Sequence, residues 1–153
     1  MISWVDSLAK LNVAETHPIY SLLMANGTLS TILRSRCDVL SIQVIKQELA
    51  TASVEEQQLL NISEDNSFIR EVFLLGDQQP LVKARVVAPI RSYLQFKNTL
   101  DNLGEKPIGE TLLYTQAYTR SPFQYTRIQD NLARRSVFDL QSYPIMVQEK
   151  FLF

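Results

Sequence analysis

The sequence predicts an α+β fold in which an antiparallel β-sheet is flanked by helices. The first third of the chain carries apolar residues at helical spacing, whereas from Val39 onwards they recur at every second position. The strand-like segments that follow are joined by short turns. Parallel strands need a long crossover between each pair, so these turns favour an antiparallel sheet.

Length and composition predict one domain over residues 1–153. The chain has 153 residues, 46% of them hydrophobic, and only four glycines, which excludes a collagen-like or wholly disordered chain. A chain of this mass can bury about 69% of its unfolded surface, enough for a full core without disulfides or a structural metal. Cys37 is the single cysteine, which favours a reducing compartment and a passive thiol over a nucleophile.

Net charge and the N-terminal sequence argue against a nucleic-acid-binding, membrane-bound or secreted protein. Lys and Arg number 15 against 16 Asp and Glu, so the net charge of −1 gives no overall positive field for nucleic acid or anionic lipid. The N-terminal segment lacks the layout of a secretory signal, and no apolar run approaches the ~20 residues of a membrane span. We therefore expect a cytoplasmic protein that binds neither nucleic acid nor membrane.

Two short helices are predicted near the N-terminus. Their apolar residues recur at helical spacing on either side of Asn26-Gly27: Ile19, Leu22, Leu23, then Leu29, Ile32 and Leu33. The side chain of Thr28 is expected to cap the second helix. His17 is the single histidine, so the usual zinc sites and Ser-His-Asp triads are excluded unless His17 itself serves. Because His17 precedes Pro18 at the first helix, a capping or surface role is favoured.

The middle of the chain predicts a strand, a connection and a hairpin. Strict alternation after Val39 places four residues on one face of the strand: Leu40, Ile42, Val44 and Lys46. The polar stretch 51–66 is interpreted as a long connection that contains about one helical turn. Residues 67–89 contain two β-rich runs separated by Gly-Asp-Gln-Gln, which is typical of a hairpin.

The remaining elements are one helix and further strands. An amphipathic helix that Gly104 ends is predicted from the spacing of four apolar residues: Tyr93, Phe96, Leu100 and Leu103. Strands are predicted at 136–140 and 145–153.

Two charges fall inside apolar alternations. Arg70 shares a strand face with Val72 and Leu74, and Glu149 lies between Val147 and Phe151 on another. One interpretation is a sheet with partly wet faces, on which Arg70 extends to solvent and Glu149 lies near an edge. The other is a cleft that offers one cation and one carboxylate to a small anionic substrate with a hydroxyl group, since unpaired buried charges cost several kcal/mol.

Other basic residues are expected to be solvated. Arg134-Arg135 directly precedes a predicted strand and Arg120 lies in Tyr118–Ser121, and a solvated rim is favoured for all three. The alternative is a mouth that attracts anions. Tyr118 and Phe123 beside Arg120 resemble an aromatic and basic nucleic-acid surface, but the overall charge argues against one. No phosphate-binding glycine loop or cluster of metal ligands is apparent.

The ordered segments of the chain resemble the chorismate pyruvate-lyase family, including its branch in cyanobacteria and plastids. The resemblance extends from about residue 18 to the C-terminus and rests on the order and spacing of these segments: Asn26–Thr31, Ile69–Val72, Gly76–Pro80, Ala84–Pro89, Leu103–Gly109, Tyr118–Arg120, Ala133–Ser136 and Pro144–Glu149. It implies an antiparallel sheet flanked by helices, in agreement with the periodicity.

The resemblance implies an enzyme that eliminates pyruvate from chorismate and leaves 4-hydroxybenzoate, a precursor of quinone head groups such as those of ubiquinone and plastoquinone. Chorismate would be the small-molecule partner, no cofactor or metal would be needed, and a monomer is favoured. The expected location is the cytoplasm, or the plastid stroma for a plastid-encoded chain.

The resemblance also assigns residues to the site. Arg70 would hold a carboxylate, and Glu149 would hydrogen-bond the ring hydroxyl and assist proton transfer. Leu29 and Ile108, which replace methionine and leucine of better-known members, would contact the ring. A supporting role is expected for three further residues: Arg85, Arg120 and Arg135.

Two alternatives remain open. The ligand-sensing domains of some transcription regulators resemble the same fold, so the chain could be a non-catalytic module that binds small anions. Those domains follow a DNA-binding segment, and the roughly 18 residues before the first matched element are too few for one. A structural protein with a degenerate pocket would instead have Arg70 and Glu149 exposed and far apart.

Overall fold

A seven-stranded antiparallel sheet forms the centre of the protein. The computed structural model describes residues 2–63 and 66–153. The strands of this sheet are β1 (Leu40–Thr51), β2 (Asn66–Gly76), β3 (Gln79–Pro89), β4 (Thr119–Arg120), β5 (Gln124–Ile128), β6 (Asn131–Asp139) and β7 (Pro144–Phe151). Their spatial order is β1-β2-β3-β7-β6-β4, and β5 also pairs with β6. The predicted α+β fold with an antiparallel sheet is confirmed.

Short helices surround the sheet. The α-helices of the described residues are α1 (Tyr20–Met24), α2 (Leu29–Arg34), α3 (Val54–Leu60), α4 (Ile90–Gln95) and α5 (Lys97–Asp101). A 3-10 turn spans Leu8–Leu11, and a π-helical turn spans Gly109–Leu113. No helix in the described ranges is long and apolar enough to cross a membrane.

The two N-terminal helices are confirmed, but their caps differ from the prediction. Thr28 occupies the N-cap position of α2, yet its side chain makes no capping hydrogen bond, so the prediction of a side-chain cap is wrong. The Ile19 backbone N–H donates to Nδ1 of exposed His17 over 3.2 Å, which agrees with a local capping role for this histidine.

Helix α3 occupies part of the stretch that was predicted to be a connection. Ser53 accepts from the Glu56 backbone N–H, and the Glu56 carboxylate accepts from the Ser53 backbone N–H. This capping box satisfies two N-terminal donors and starts a seven-residue helix, so the prediction of a largely irregular connection is wrong. Residues 64–65 of that stretch lie outside the described residues.

The prediction of a single helix before Gly104 is also wrong, because the chain forms two helices there. Helix α4 ends at Gln95 and α5 begins at Lys97, with Phe96 between them outside helical geometry. Gly104 has φ +55°, a conformation that glycine adopts without strain and that suits the expected helix stop.

A β-bulge changes the register of β1. The pairing with β2 shifts between Val44 and Lys46, so Gln47 rather than Lys46 lies opposite Arg70. The extra residue reverses the alternation beyond it, as bulges do. The prediction that Lys46 shares the face of Ile42 is therefore wrong, and a neutral amide instead of a second cation meets Arg70.

One face of the sheet carries two apolar clusters. Helices α1 and α2 pack over its first half, against strand residues that include Ile42, Val72 and Phe151. Helices α4 and α5 and the π-helical turn pack over its other half, against Val86 and Val147 among others. Helix α3 lies on the opposite face, above Ile69, Val87 and Met146. Two groups of segments therefore cover the first face, α1 with α2 and α4 with α5 and the π-helical turn, and we call these groups the two covers.

The Ser53→Ala variant tests the capping box. Loss of the side-chain acceptor is expected to lower the free energy of unfolding by about 1 kcal/mol, measured by urea denaturation. Ser7→Ala is the matched control, since Ser7 also occupies an N-cap position but makes no side-chain cap bond, and its change should stay within about 0.5 kcal/mol. Equal losses in the two variants would contradict the role of the capping box.

Candidate functional site

A cavity lies between the two apolar clusters on the covered face of the sheet. It encloses about 660 Å³ of space when its open mouth is included. Its charged lining residues are Arg70, Lys106, Arg120, Arg134 and Glu149. Most of the remaining wall is apolar, with Val72, Ala84, Val86 and Val147 from the sheet and Leu29, Ile108 and Leu113 from the covers.

Arg70 is buried on β2, with 3% of its surface exposed. Its guanidinium donates to Gln47 Oε1 and to the Gly104 carbonyl, each over 2.8 Å, and to the Lys106 carbonyl over 3.2 Å. All three acceptors are neutral. Burial lowers the pKa of Arg70, although an arginine remains charged in a protein. The cavity therefore contains a cation without an anionic partner among these contacts.

Glu149 and Arg134 form a buried ion pair on neighbouring strands. Glu149 is 7% exposed and Arg134 is fully buried, and Nε of Arg134 donates to Oε1 of Glu149 over 2.8 Å. Nη1 of Arg134 donates to carbonyls at the C-terminal end of α1, those of Leu22, Leu23 and Ala25, over 3.2, 3.1 and 2.7 Å. Nη2 is buried and has no acceptor within the part of the chain that the structure describes. This ion pair fixes the orientation of the carboxylate.

Arg120 on β4 lines the same end of the cavity as Glu149. Its Nε donates to Ser136 Oγ over 2.8 Å, and its Nη1 donates to Tyr114 Oη over 3.0 Å and to the Asn26 carbonyl over 3.2 Å. The guanidinium lies between the rings of Phe123 and Phe138, 4.4 Å from each centroid. Burial lowers the pKa of Arg120. Its hydrogen-bond acceptors are neutral, as those of Arg70 are.

Leu29 and Ile108 reach the cavity from two covering segments. Leu29 begins α2, and Ile108 precedes the π-helical turn. The two segments approach closely at Gly109, where a Cβ atom would lie 3.4 Å from Cγ2 of Thr28. Glu110 holds them together by accepting hydrogen bonds from Ser30 and Arg34. The structure thus brings five predicted site residues to one cavity: Leu29, Arg70, Ile108, Arg120 and Glu149. Arg120 is half-buried there, so the expectation that it lies on a solvated rim is wrong.

Arg85 and Arg135 do not line this cavity. Arg85 lies on the α3 side of the sheet, where it forms ion pairs of 2.7 Å with Glu56 and with Glu71. These two carboxylates hold the pKa of Arg85 above its ordinary value. Arg135 lies over the Trp4 ring at 4.3 Å and donates to Gln124. The contacts of both residues are those of structural side chains.

Arg134 lines the cavity although its place in the sequence predicted no site role for it. The expectation that Arg134-Arg135 forms a solvated rim is wrong, because both residues are buried within β6 rather than ahead of a strand. The signal was present, since Arg134 falls between Leu132 and Phe138 in an apolar alternation. The predicted strand started at Ser136, two residues too late for that alternation to include Arg134.

Strand order separates the two predicted charges. Strand β3 lies between β2 and β7, so the strands that carry Arg70 and Glu149 are about 10 Å apart. Arg70 is level with Val147, which places Glu149 a further two residues along its strand. A cation and a carboxylate therefore face one apolar space from its two ends. This arrangement suits a ring with an anionic group at one end and a hydroxyl group at the other.

The Arg134→Met variant tests the importance of the buried ion pair. It should lower the free energy of unfolding by about 3–5 kcal/mol, because Glu149 stays buried without its cation. Combining it with Glu149→Gln should restore about 1–3 kcal/mol, since the unpaired charge is then removed. Urea denaturation measures both, with the exposed Arg36→Met as control. An Arg134→Met variant as stable as the parent would show that the ion pair does not stabilise the fold.

Comparison with solved structures shows a similar fold in a regulator. The crystal structure of a possible transcriptional regulator, YydK from Bacillus subtilis, aligns with a TM-score of 0.55 over 73% of this chain and 58% of that chain. Sequence identity is 12%, so this likeness concerns the fold alone.

Comparison with curated proteins finds relatives described as probable chorismate pyruvate-lyases. The relative from Pseudoalteromonas atlantica is 32% identical, covering 99% of this chain and 86% of its own. The relative from Marinobacter nauticus is 31% identical over 97% of this chain and 85% of its own. These sources are proteobacterial and give no support to the expected cyanobacterial or plastid branch. The family model for chorismate lyase matches residues 4–153. The chain therefore belongs to the chorismate lyase family of carbon–oxygen lyases.

Proposed function

We propose that this protein eliminates pyruvate from chorismate and releases 4-hydroxybenzoate. The observation that carries the proposal is the position of Arg70 and Glu149 at two ends of one buried, largely apolar cavity. Membership of the chorismate lyase family and the names of the relatives support it. Both side chains are buried, which argues against the alternative of a structural protein with an exposed, degenerate pocket.

The reaction requires positioned charges. Chorismate carries a ring carboxylate, a ring hydroxyl and an enolpyruvyl ether on the carbon next to the hydroxyl-bearing carbon. The ring loses the proton of the hydroxyl-bearing carbon, and the bond between the neighbouring carbon and the ether oxygen breaks. The electron pair of the C–H bond makes the ring aromatic, and the leaving enolpyruvate takes up a proton to become pyruvate. Oxidation state is conserved, so a positioned proton acceptor meets the chemical need.

Glu149 accepts a hydrogen bond from the ring hydroxyl and assists the proton transfer. Its carboxylate is fixed by Arg134 Nε on one oxygen, which leaves the second oxygen to the substrate. A positioned carboxylate of this kind accelerates a reaction by about 10²–10⁴-fold. Glu149 is therefore the proposed catalytic residue.

Arg70 binds the ring carboxylate at the opposite end of the cavity. The contacts with Gln47 and with the carbonyls of Gly104 and Lys106 hold the guanidinium in place. Leu29 and Ile108 pack against the ring from the covers. Charge-assisted hydrogen bonds are about twice as strong as neutral ones, so the guanidinium holds the ring carboxylate firmly.

The proposal also covers the domain organisation of the protein, the use of its product, its location and its oligomeric state. Residues 1–153 would act as one domain, and 4-hydroxybenzoate would supply a quinone head group, with ubiquinone the better supported product among proteobacterial relatives. Cytoplasmic location and a monomeric state stay predictions. A ligand-sensing module of the same fold remains the rival hypothesis, and turnover separates the two, because a sensor binds the anion and leaves it unchanged.

The Glu149→Gln variant tests the catalytic assignment. Purified protein mixed with chorismate should release 4-hydroxybenzoate, followed by its absorbance, and Glu149→Gln should lower kcat by about 10²–10⁴-fold. Glu48→Gln on the exposed β1 strand is the matched control and should keep the parent rate. A folded Glu149→Gln variant with the parent kcat would refute the assignment, and a parent protein that binds chorismate without turnover would favour the sensor.

The Arg70→Met variant tests carboxylate binding. Loss of the guanidinium should raise KM for chorismate about 10–100-fold with a smaller effect on kcat, because charge-assisted bonds to the ring carboxylate are lost. Arg36→Met, which removes an exposed arginine, is the control. An unchanged KM would show that the ring carboxylate binds elsewhere.

A further inference from the structure

The cavity contains more positive than negative charge. Arg70 and Arg134 line it and are buried, and Arg120 lines it half-buried, whereas Glu149 is the carboxylate among the described lining residues. The Arg134 charge is balanced by Glu149. Arg70 and Arg120 donate only to amide, carbonyl and hydroxyl oxygens within the described ranges. Two guanidinium charges are therefore uncompensated.

Uncompensated charges in an apolar site favour an anionic ligand. Taking a guanidinium out of water without an anion is costly, and burial lowers the pKa of both Arg70 and Arg120. A ligand with two negative charges would neutralise both. A ligand with one would leave one guanidinium unbalanced.

The two uncompensated arginines lie at different ends of the cavity. Arg120 is on β4 next to β6, and its Nε contacts Ser136, which pairs with Val147 of the Glu149 strand. Arg120 and Arg134 also lie over the same Phe123 ring, at 4.4 and 4.3 Å. Arg120 thus belongs to the Glu149 end, and Arg70 to the other.

We propose that Arg120 binds the enolpyruvyl carboxylate of chorismate and makes the cavity selective for dianions, an inference that rests on the proposed function. With the ring carboxylate on Arg70 and the hydroxyl on Glu149, the ether on the neighbouring carbon must project beside Glu149, where Arg120 lies. The buried Nη2 of Arg134, without an acceptor in the described residues, is a second donor at this end. Arg120 is then a specificity-determining residue that contacts the leaving group and not the aromatic product.

The experiment compares a dianion with a monoanion. Calorimetry measures Kd for 4-hydroxyisophthalate, which carries a second carboxylate beside the hydroxyl, and for 4-hydroxybenzoate, in the parent and in Arg120→Met. The variant should bind the dianion about 10–100-fold more weakly and the monoanion within about threefold of the parent. Its KM for chorismate should rise by a similar factor. Arg70→Met should weaken both ligands, since both keep the ring carboxylate.

Arg120→Lys keeps the charge and provides the second variant. It should recover part of the dianion affinity. If Arg120 had a purely structural role, Arg120→Lys and Arg120→Met would weaken the binding of both ligands equally. Equal loss of the two ligands in Arg120→Met, or no loss of the dianion, overturns the inference.

The outcomes also separate this inference from the proposed function. Turnover of chorismate by the parent, with an unchanged KM in Arg120→Met, refutes the inference and leaves the proposed function intact. No turnover by the parent, with a dianion preference that Arg120→Met abolishes, refutes the proposed function and supports Arg120 as the site of the second carboxylate.

Discussion

The covered face of the sheet is organised around two buried arginines, Arg70 and Arg134, a half-buried third, Arg120, and one buried carboxylate, Glu149. A buried cation needs acceptors, and Glu149 supplies an anionic one for Arg134. Backbone carbonyls supply many of the others: Arg134 binds the end of α1, Arg120 binds Asn26, and Arg70 binds Gly104 and Lys106. Each of these arginines belongs to a strand and hydrogen-bonds a segment that covers the sheet, so the contacts that satisfy the charges also hold the covering segments over the cavity.

The contacts that stabilise the covered face also position the residues that line the cavity. The two covers meet through Glu110 and through the close approach at Gly109, and they place Leu29 and Ile108 over the space between Arg70 and Glu149. The β1 bulge contributes by bringing the Gln47 amide to Arg70 in place of Lys46. A lysine there would repel the guanidinium, so the bulge helps to keep a free cation at that end of the cavity.

Local signals were enough for much of the fold and for two site residues. Arg70 and Glu149 interrupt apolar alternations, a pattern readable in the sequence, and both face the cavity. Arg134 was missed because β6 begins at Asn131, earlier than its periodicity was recognised. The bulge in β1 and the break at Phe96 leave no local signature, because they depend on pairing and packing with distant residues. Helix α3 had a signature in its Ser53 and Glu56 spacing, and its partner Arg85 could be assigned only from the tertiary structure.

The most direct test of the charge arrangement is a crystal structure of the protein with 4-hydroxybenzoate bound. The account predicts a carboxylate within about 3 Å of the Arg70 guanidinium, a hydroxyl within about 3 Å of the Glu149 carboxylate, and no contact between the product and Arg120. A ligand bound outside this cavity, or bound in reverse with its carboxylate on Arg120, would contradict it.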